Sequence, residues 1–132
     1  MYKERIQKLH VSLGIPKEYL EHSKQLLCFE PTQLVNTEPD CYGRLQRLTP
    51  EAFDAWSDMK QSAINDGVTV FLISAFRDAQ YQHDLIARKI GEGRSLEQIL
   101  RVNAAPGFSE HHTGRAVDLG THNCAALEEE FE

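Results

Sequence analysis

The chain has 132 residues, 41% hydrophobic and 26% charged, with 20 acidic against 14 basic residues and a formal net charge of -6. This balance suits one modest globular core rather than a disordered segment. It offers no basic stripe able to neutralise a run of phosphates, so nucleic acid is not an expected partner.

No stretch approaches the roughly 18 consecutive apolar residues that a membrane span requires. The opening Met1-Tyr2-Lys3-Glu4-Arg5 mixes acidic and basic residues before a periodic segment, which is not the layout of an export signal. Cys28, Cys41 and Cys124 are an odd, widely spaced set without a C-x-x-C pair, and they read as thiols rather than as a structural zinc or redox site.

In chain order, Ile6, Leu9, His10 and Leu13 recur at helical spacing from Glu4 to Leu13, and Gly14 followed by Pro16 ends that pattern. The segment from Leu27 to Leu48, with Pro31, Asn36, Pro39, Asp40 and Gly43, reads as irregular or as short strands. Thr49 as N-cap and Pro50 at the first helical position open a helix that presents Phe53, Trp56, Met59 and Ile64 on one apolar face before Gly67. Phe53, Trp56 and Met59 are expected in the core.

Val68 to Ser74 is a β-branched and aromatic run expected to form a strand buried on both faces. Asp78 to Ile90 reads as a helix closed by Gly91, and Ser95 with Gln98 forms a capping box that opens another helix ending before Pro106-Gly107. Ala116 to Leu119 reads as a short strand, and Cys124 to Glu132 starts as a helix whose Glu128, Glu129, Glu130 and Glu132 suit a solvated face. No repeat or linker divides the chain, so a single domain over 1–132 is expected.

The segment richest in chemistry is Pro106-Gly107-Phe108-Ser109-Glu110-His111-His112-Thr113-Gly114-Arg115-Ala116-Val117-Asp118-Leu119. His111 and Asp118 lie seven positions apart, joined by a turn at Gly114 and a strand. Imidazole and carboxylate are both good zinc ligands when a third protein ligand and a water complete a tetrahedron. Elsewhere His10, His22 and His83 read as surface or core residues rather than ligands.

These residues resemble the zinc D-alanyl-D-alanine carboxypeptidases related to the vancomycin-resistance enzymes. The family pattern S-x-H-x-x-G-x-A-x-D is matched at Ser109, His111, Gly114, Ala116 and Asp118. An upstream S-x-[YF]-R followed by Gln is matched at Ser74, Phe76, Arg77 and Gln82. The resemblance covers about Leu48 to Leu119.

It implies an α+β fold, a small antiparallel sheet flanked by helices with the zinc site at the sheet edge. It implies His111 and Asp118 as ligands of Zn2+, Arg77 as the catalytic group near the scissile carbonyl, and Ser109 near the substrate's terminal carboxylate, with Gln82 orienting the substrate or Arg77. The implied substrate is a peptidoglycan stem peptide or precursor ending in D-alanine. His112 occupies a position that the pattern leaves unspecified, and it reads as structural.

The family pattern continues with an E-x-x-H segment carrying a catalytic glutamate and a second zinc histidine, and none follows Asp118 here. The expectation is therefore an incomplete catalytic set whose natural chain continues past Glu132, with His122 as a weighed substitute ligand and little carboxypeptidase activity from these residues alone. Alternatives are a peptidoglycan endopeptidase cutting between L-alanine and D-glutamate and a non-catalytic peptide-binding remnant. The family implies the periplasm or cell surface, whereas the chain taken as complete implies the cytoplasm.

Overall fold

The computed structural model describes residues 1–121, so the expected terminal helix, His122, Cys124 and the closing glutamates lie outside the described residues. The chain separates into two compact units, one made of Met1–Phe29 with Arg77–His112, the other of Glu30–Phe76 with the chain from Thr113 on.

The first unit is helical. It holds α1 (Tyr2–Leu13), α2 (Lys17–His22), α4 (Ala79–Gly91) and α5 (Leu96–Val102). Leu13, Ile15, Ile86, Ile99, Ala105 and Phe108 form its core, with Tyr19, Leu20 and Leu27 packed against them. Gly14 ends α1 in the left-handed region at φ 86°. Asp78 caps α4 by accepting from the Tyr81 N–H at 2.7 Å. The Ser95 and Gln98 capping box forms as the sequence predicts.

One local expectation needs correction. Gly91 belongs to α4 rather than ending it: Glu92 is the cap, and Gly93 at φ 95° takes the left-handed position while its N–H bonds to the Ile90 carbonyl at 3.0 Å. The helix α2, for which no expectation was drawn, carries no side-chain cap and no buried residue that would mark it locally.

The second unit contains β1 (Val35–Asn36), β2 (Arg47–Leu48), α3 (Pro50–Asn65), β3 (Phe71–Ser74) and β4 (Asp118–Gly120). The strands pair antiparallel as β1 with β2 and β3 with β4, giving two separate two-stranded sheets among the described residues. The fold class is thus α+β, as expected. Thr49 caps α3 by accepting from the Ala52 N–H at 3.2 Å, with Pro50 at the first helical position.

The core of this unit is Leu48, Trp56, Leu72 and Ala75, joined by Ala52, Phe53, Val70, Val117 and Leu119. Only the first half of α3 is covered. Met59 and Ile64 are therefore 44% and 52% exposed, against the expectation that the apolar face would be buried along its length.

The strand expected from Val68 begins at Phe71, because the Val68 N–H is committed to the Ala63 carbonyl at 2.8 Å in the turn that ends α3. From there Leu72, Ile73 and Ser74 are all buried, as a strand covered on both faces requires. The partner strand starts at Asp118 rather than Ala116.

Candidate functional site

Two motif segments carry the expected chemistry, and each unit holds part of both. In the second unit, Ser74 at the end of β3 lies directly opposite Asp118 at the start of β4, next to a register irregularity between Leu72 and Ser74. Ser74 is buried and Asp118 partly exposed.

The approach to this sheet is held by a residue that composition and spacing left in an irregular segment. The Asp40 carboxylate accepts from the Tyr42 N–H at 2.7 Å, the Arg44 N–H at 3.1 Å, Arg44 Nε at 2.7 Å and Gln46 Nε2 at 2.7 Å. Arg44 donates onward to the Ile73 carbonyl at 2.8 Å, and Gln46 Oε1 accepts from the Ala75 N–H at 2.9 Å. Burial by itself would raise the Asp40 carboxyl, but the hydrogen bonds from Arg44, Gln46 and Tyr42 outweigh it and hold the group below the usual carboxylate value. The backbone that leads from β3 toward Arg77 is fixed by this hub. The only sequence hint was an Asp at a turn start, where a carboxylate can bond to the backbone N–H two residues on.

Gly114, a motif glycine, sits in the same unit at φ 70°, and a Cβ there would lie 2.9 Å from Leu34 Cδ2. Its carbonyl accepts from the Thr49 N–H at 2.9 Å, so the turn between His111 and Asp118 is tied to the start of α3. Glycine is favoured at this position by its left-handed conformation, and a Cβ would oblige the end of the Leu34 side chain to shift.

In the first unit, the catalytic candidate Arg77 is bonded through its backbone to the downstream motif on both sides. Its N–H donates to the His111 carbonyl at 3.1 Å, and its carbonyl lies 2.7 Å from His112 Nδ1. The Gly107 N–H donates to His112 Nε2 at 3.0 Å, so that nitrogen carries no proton and the ring donates from Nδ1 to Arg77. Both nitrogens of the fully buried His112 are thereby committed to the backbone, which confirms the structural role read for it. The Arg77 side chain is 9% exposed, and its guanidinium stands 5.9 Å from the centroid of the Tyr81 ring.

Ser109 is buried, and its Oγ accepts from the His111 N–H at 3.2 Å, so it opens the single 3-10 turn Glu110–Thr113 that carries His111. The hydroxyl acts there as an acceptor and keeps its own proton for donation. Gln82, also buried, donates from Nε2 to the Ala104 carbonyl at 2.8 Å, and its Oε1 has no hydrogen-bond partner among the described residues. Arg77, Gln82, Ser109 and His111 thus belong to the first unit and Asp118 to the second.

Imidazole and carboxylate fit zinc in kind. Among the described residues there is no group of three or more His, Cys, Asp or Glu side chains that could hold a metal ion. No helix among them is long and apolar enough to cross a membrane.

Comparison with known proteins agrees with the motifs. Three solved structures share the fold. A zinc(II) complex of the vancomycin-resistance D,D-pentapeptidase VanY from a VanB-type cassette is 23% identical, with a TM-score of 0.55 over 73% of this chain and 60% of that one. VanYB in complex with D-alanine-D-alanine is 22% identical, with a TM-score of 0.58 over 76% of this chain and 57% of that one. The LD-carboxypeptidase LdcB, described for peptidoglycan recognition, is 25% identical, with a TM-score of 0.61 over 70% of this chain and 45% of that one.

The chain therefore spans at most 60% of the length of these three structures. Comparison with curated proteins finds no match. The model of the VanY D-alanyl-D-alanine carboxypeptidase family matches residues 45–132, two thirds of the sequence and both motifs, and the chain belongs to that family.

Proposed function

We propose that the protein is a zinc-dependent D-alanyl-D-alanine carboxypeptidase that hydrolyses the peptide bond before a C-terminal D-alanine in peptidoglycan stem peptides or their precursors. The observation that carries this reading is the family motif at Ser109, His111, Gly114, Ala116 and Asp118, together with the bonds that tie the Arg77 backbone to the His111 carbonyl and to the His112 ring. Relatives that bind zinc(II) and D-alanine-D-alanine support the cofactor and the substrate class.

In this reading His111 and Asp118 are zinc ligands, supported by their motif positions and by the affinity of imidazole and carboxylate for zinc. Zinc, when bound, supplies a water of lowered pKa and polarises the scissile carbonyl. Arg77 contributes a permanently charged donor for the oxyanion that forms as the amide is attacked. Its backbone is anchored at both N–H and C=O, so little ordering is needed when substrate arrives. Ser109 donates its hydroxyl proton to the terminal carboxylate of the peptide, and Gln82 orients the substrate through the carboxamide oxygen left open beside the Ala104 bond. The substrate implies action on the wall side of the cytoplasmic membrane, at the periplasm or cell surface, which fractionation of cells would test.

The function is tested by D-alanine release from a pentapeptide ending in D-Ala-D-Ala. The assay uses the full coding product with added zinc, beside its His111→Ala variant and a tetrapeptide with a single terminal D-alanine. Zinc-dependent release from the pentapeptide, lost in the variant, is expected. Release from the tetrapeptide alone would make the enzyme an LD-carboxypeptidase, in line with its likeness to LdcB. Cleavage inside peptides that lack a free terminal D-alanine would make it an endopeptidase.

A further inference from the structure

The family match begins at residue 45, yet the turn that precedes Ser109 and His111 is held by residues far upstream of it. His10 on α1 is fully buried, and its Nε2 lies 2.7 Å from the Pro106 carbonyl, 96 residues away in sequence. A carbonyl only accepts, so Nε2 carries the proton and donates it. The ring packs edge-on to Tyr19 at 5.6 Å and against Phe108 at 6.0 Å, which fixes its plane.

The next residue, Gly107, is held from the same side. Its carbonyl accepts from the Cys28 N–H at 2.7 Å, and the Cys28 carbonyl accepts from the Tyr2 hydroxyl of α1 at 2.7 Å. At φ 93° Gly107 leaves no room for a side chain: a Cβ would stand 2.9 Å from both Ile6 Cγ2 and Leu27 Cδ1. Ile6 and His10 lie one turn apart on α1, so one helix face forms the floor on which Pro106 and Gly107 rest. The far side of Gly107 is the N–H that His112 accepts.

We infer that α1 is a socket for the Pro106-Gly107 turn and that His10 is a positioning residue, acting through Pro106 to set where Ser109 and His111 stand. The inference rests on the zinc-carboxypeptidase reading only for what that positioning serves. An ordinary core histidine would be satisfied by any local acceptor. This one bonds to the residue that starts the motif turn, and its neighbours Ile6, Leu27 and Cys28 converge on the following residue. The N-terminal helix is thereby a working part of the site although the family pattern does not include it.

The test uses the full chain with four variants. His10→Leu keeps apolar bulk and removes the donor, whereas His10→Gln restores an N–H at similar reach. His10→Asn, too short to span to Pro106, takes the place of His10→Leu if that variant fails to fold. Val70→Ala is a truncation against the Leu48 and Trp56 core of the other unit, away from the turn. Amide hydrogen exchange over residues 105–113 and zinc affinity by chelator competition are both measured.

Removing the donor is expected to raise exchange in that segment and to weaken zinc by about tenfold, the scale of lost outer-shell support for a ligand. His10→Gln should recover both, and Val70→Ala should alter neither. Unchanged exchange in the segment on removal of the donor, or an equal rise in Val70→Ala, overturns the socket. A wild-type chain that shows the predicted exchange pattern but no zinc binding overturns the zinc reading and leaves the socket standing.

Discussion

His112 donates from Nδ1 to the carbonyl of Arg77 at 2.7 Å while its Nε2 accepts from the Gly107 N–H, so one neutral imidazole joins the two motif segments at their backbones. Replacing it with alanine leaves a buried carbonyl and a buried N–H without this partner. Each such loss costs about 1 to 3 kcal/mol, so His112→Ala is expected to lower stability by about 2 to 4 kcal/mol. Urea denaturation measures this directly. A loss well under 1 kcal/mol would show that water or a neighbour replaces both bonds.

The pH dependence of stability is expected to carry a signature of His10. Burial pushes its pKa below the ordinary 6.5, against a smaller opposing effect of the bond to Pro106. Between the lowered folded value and 6.5 the unfolded chain binds the proton and the folded one does not. Stability therefore rises with pH across that window, is fully present above 6.5, and is lost as the solution is acidified below it. Denaturation midpoints for wild type and His10→Gln at neutral and mildly acidic pH test the sign. The variant should show a shallower loss, and equal slopes would mean that another group governs it.

Asp40 is the hub of the segment before α3, and its carboxylate side chain is fully buried against Arg44. Asp40→Ala removes the acceptor of Arg44 Nε and of Gln46 Nε2 together. Breaking a buried pair by removing one partner costs about 3 to 5 kcal/mol, and the partial exposure of Arg44 argues for the lower end. Thermal unfolding checks this, with Arg44→Ala expected to cost less because Gln46 and two backbone N–H groups still hold the carboxylate.

Gly114→Ala should destabilise by about 2 kcal/mol or more, since the left-handed conformation alone costs about 1 to 2 kcal/mol for a residue with a Cβ. The close approach to Leu34 adds to that. Calorimetry of this variant decides whether the motif glycine is required by the fold; an unchanged transition would assign it to substrate instead.

Much of the helical framework was legible because its signals are local. Thr49-Pro50, Asp78 and the Ser95-Gln98 box satisfy backbone N–H groups within their own turns, so the residues that write each boundary lie beside it. What escaped depends on distant partners. Asp40 reaches Gln46 and, through Arg44, the carbonyl of Ile73, while His10 meets Pro106 only after the chain returns, and no spacing rule encodes either pairing. The overlong Val68 strand and the buried Met59 failed for a related reason: periodicity reports what could be covered, not how wide a two-stranded sheet is. Ser109, His111 and Asp118 are candidates by motif, and the structure adds a reason that Ser109 precedes His111, namely the bond that its Oγ accepts from the His111 N–H.

Assignment of His111 and Asp118 as zinc ligands stands or falls on the zinc affinity of the wild-type chain and of His111→Ala and Asp118→Ala, measured by competition with a chromophoric chelator. Saturable binding by the wild type is expected, weakened by at least about tenfold in each variant, because loss of a ligand must exceed the tenfold to hundredfold effect of losing a ligand's support. Binding of equal strength in all three proteins would contradict it.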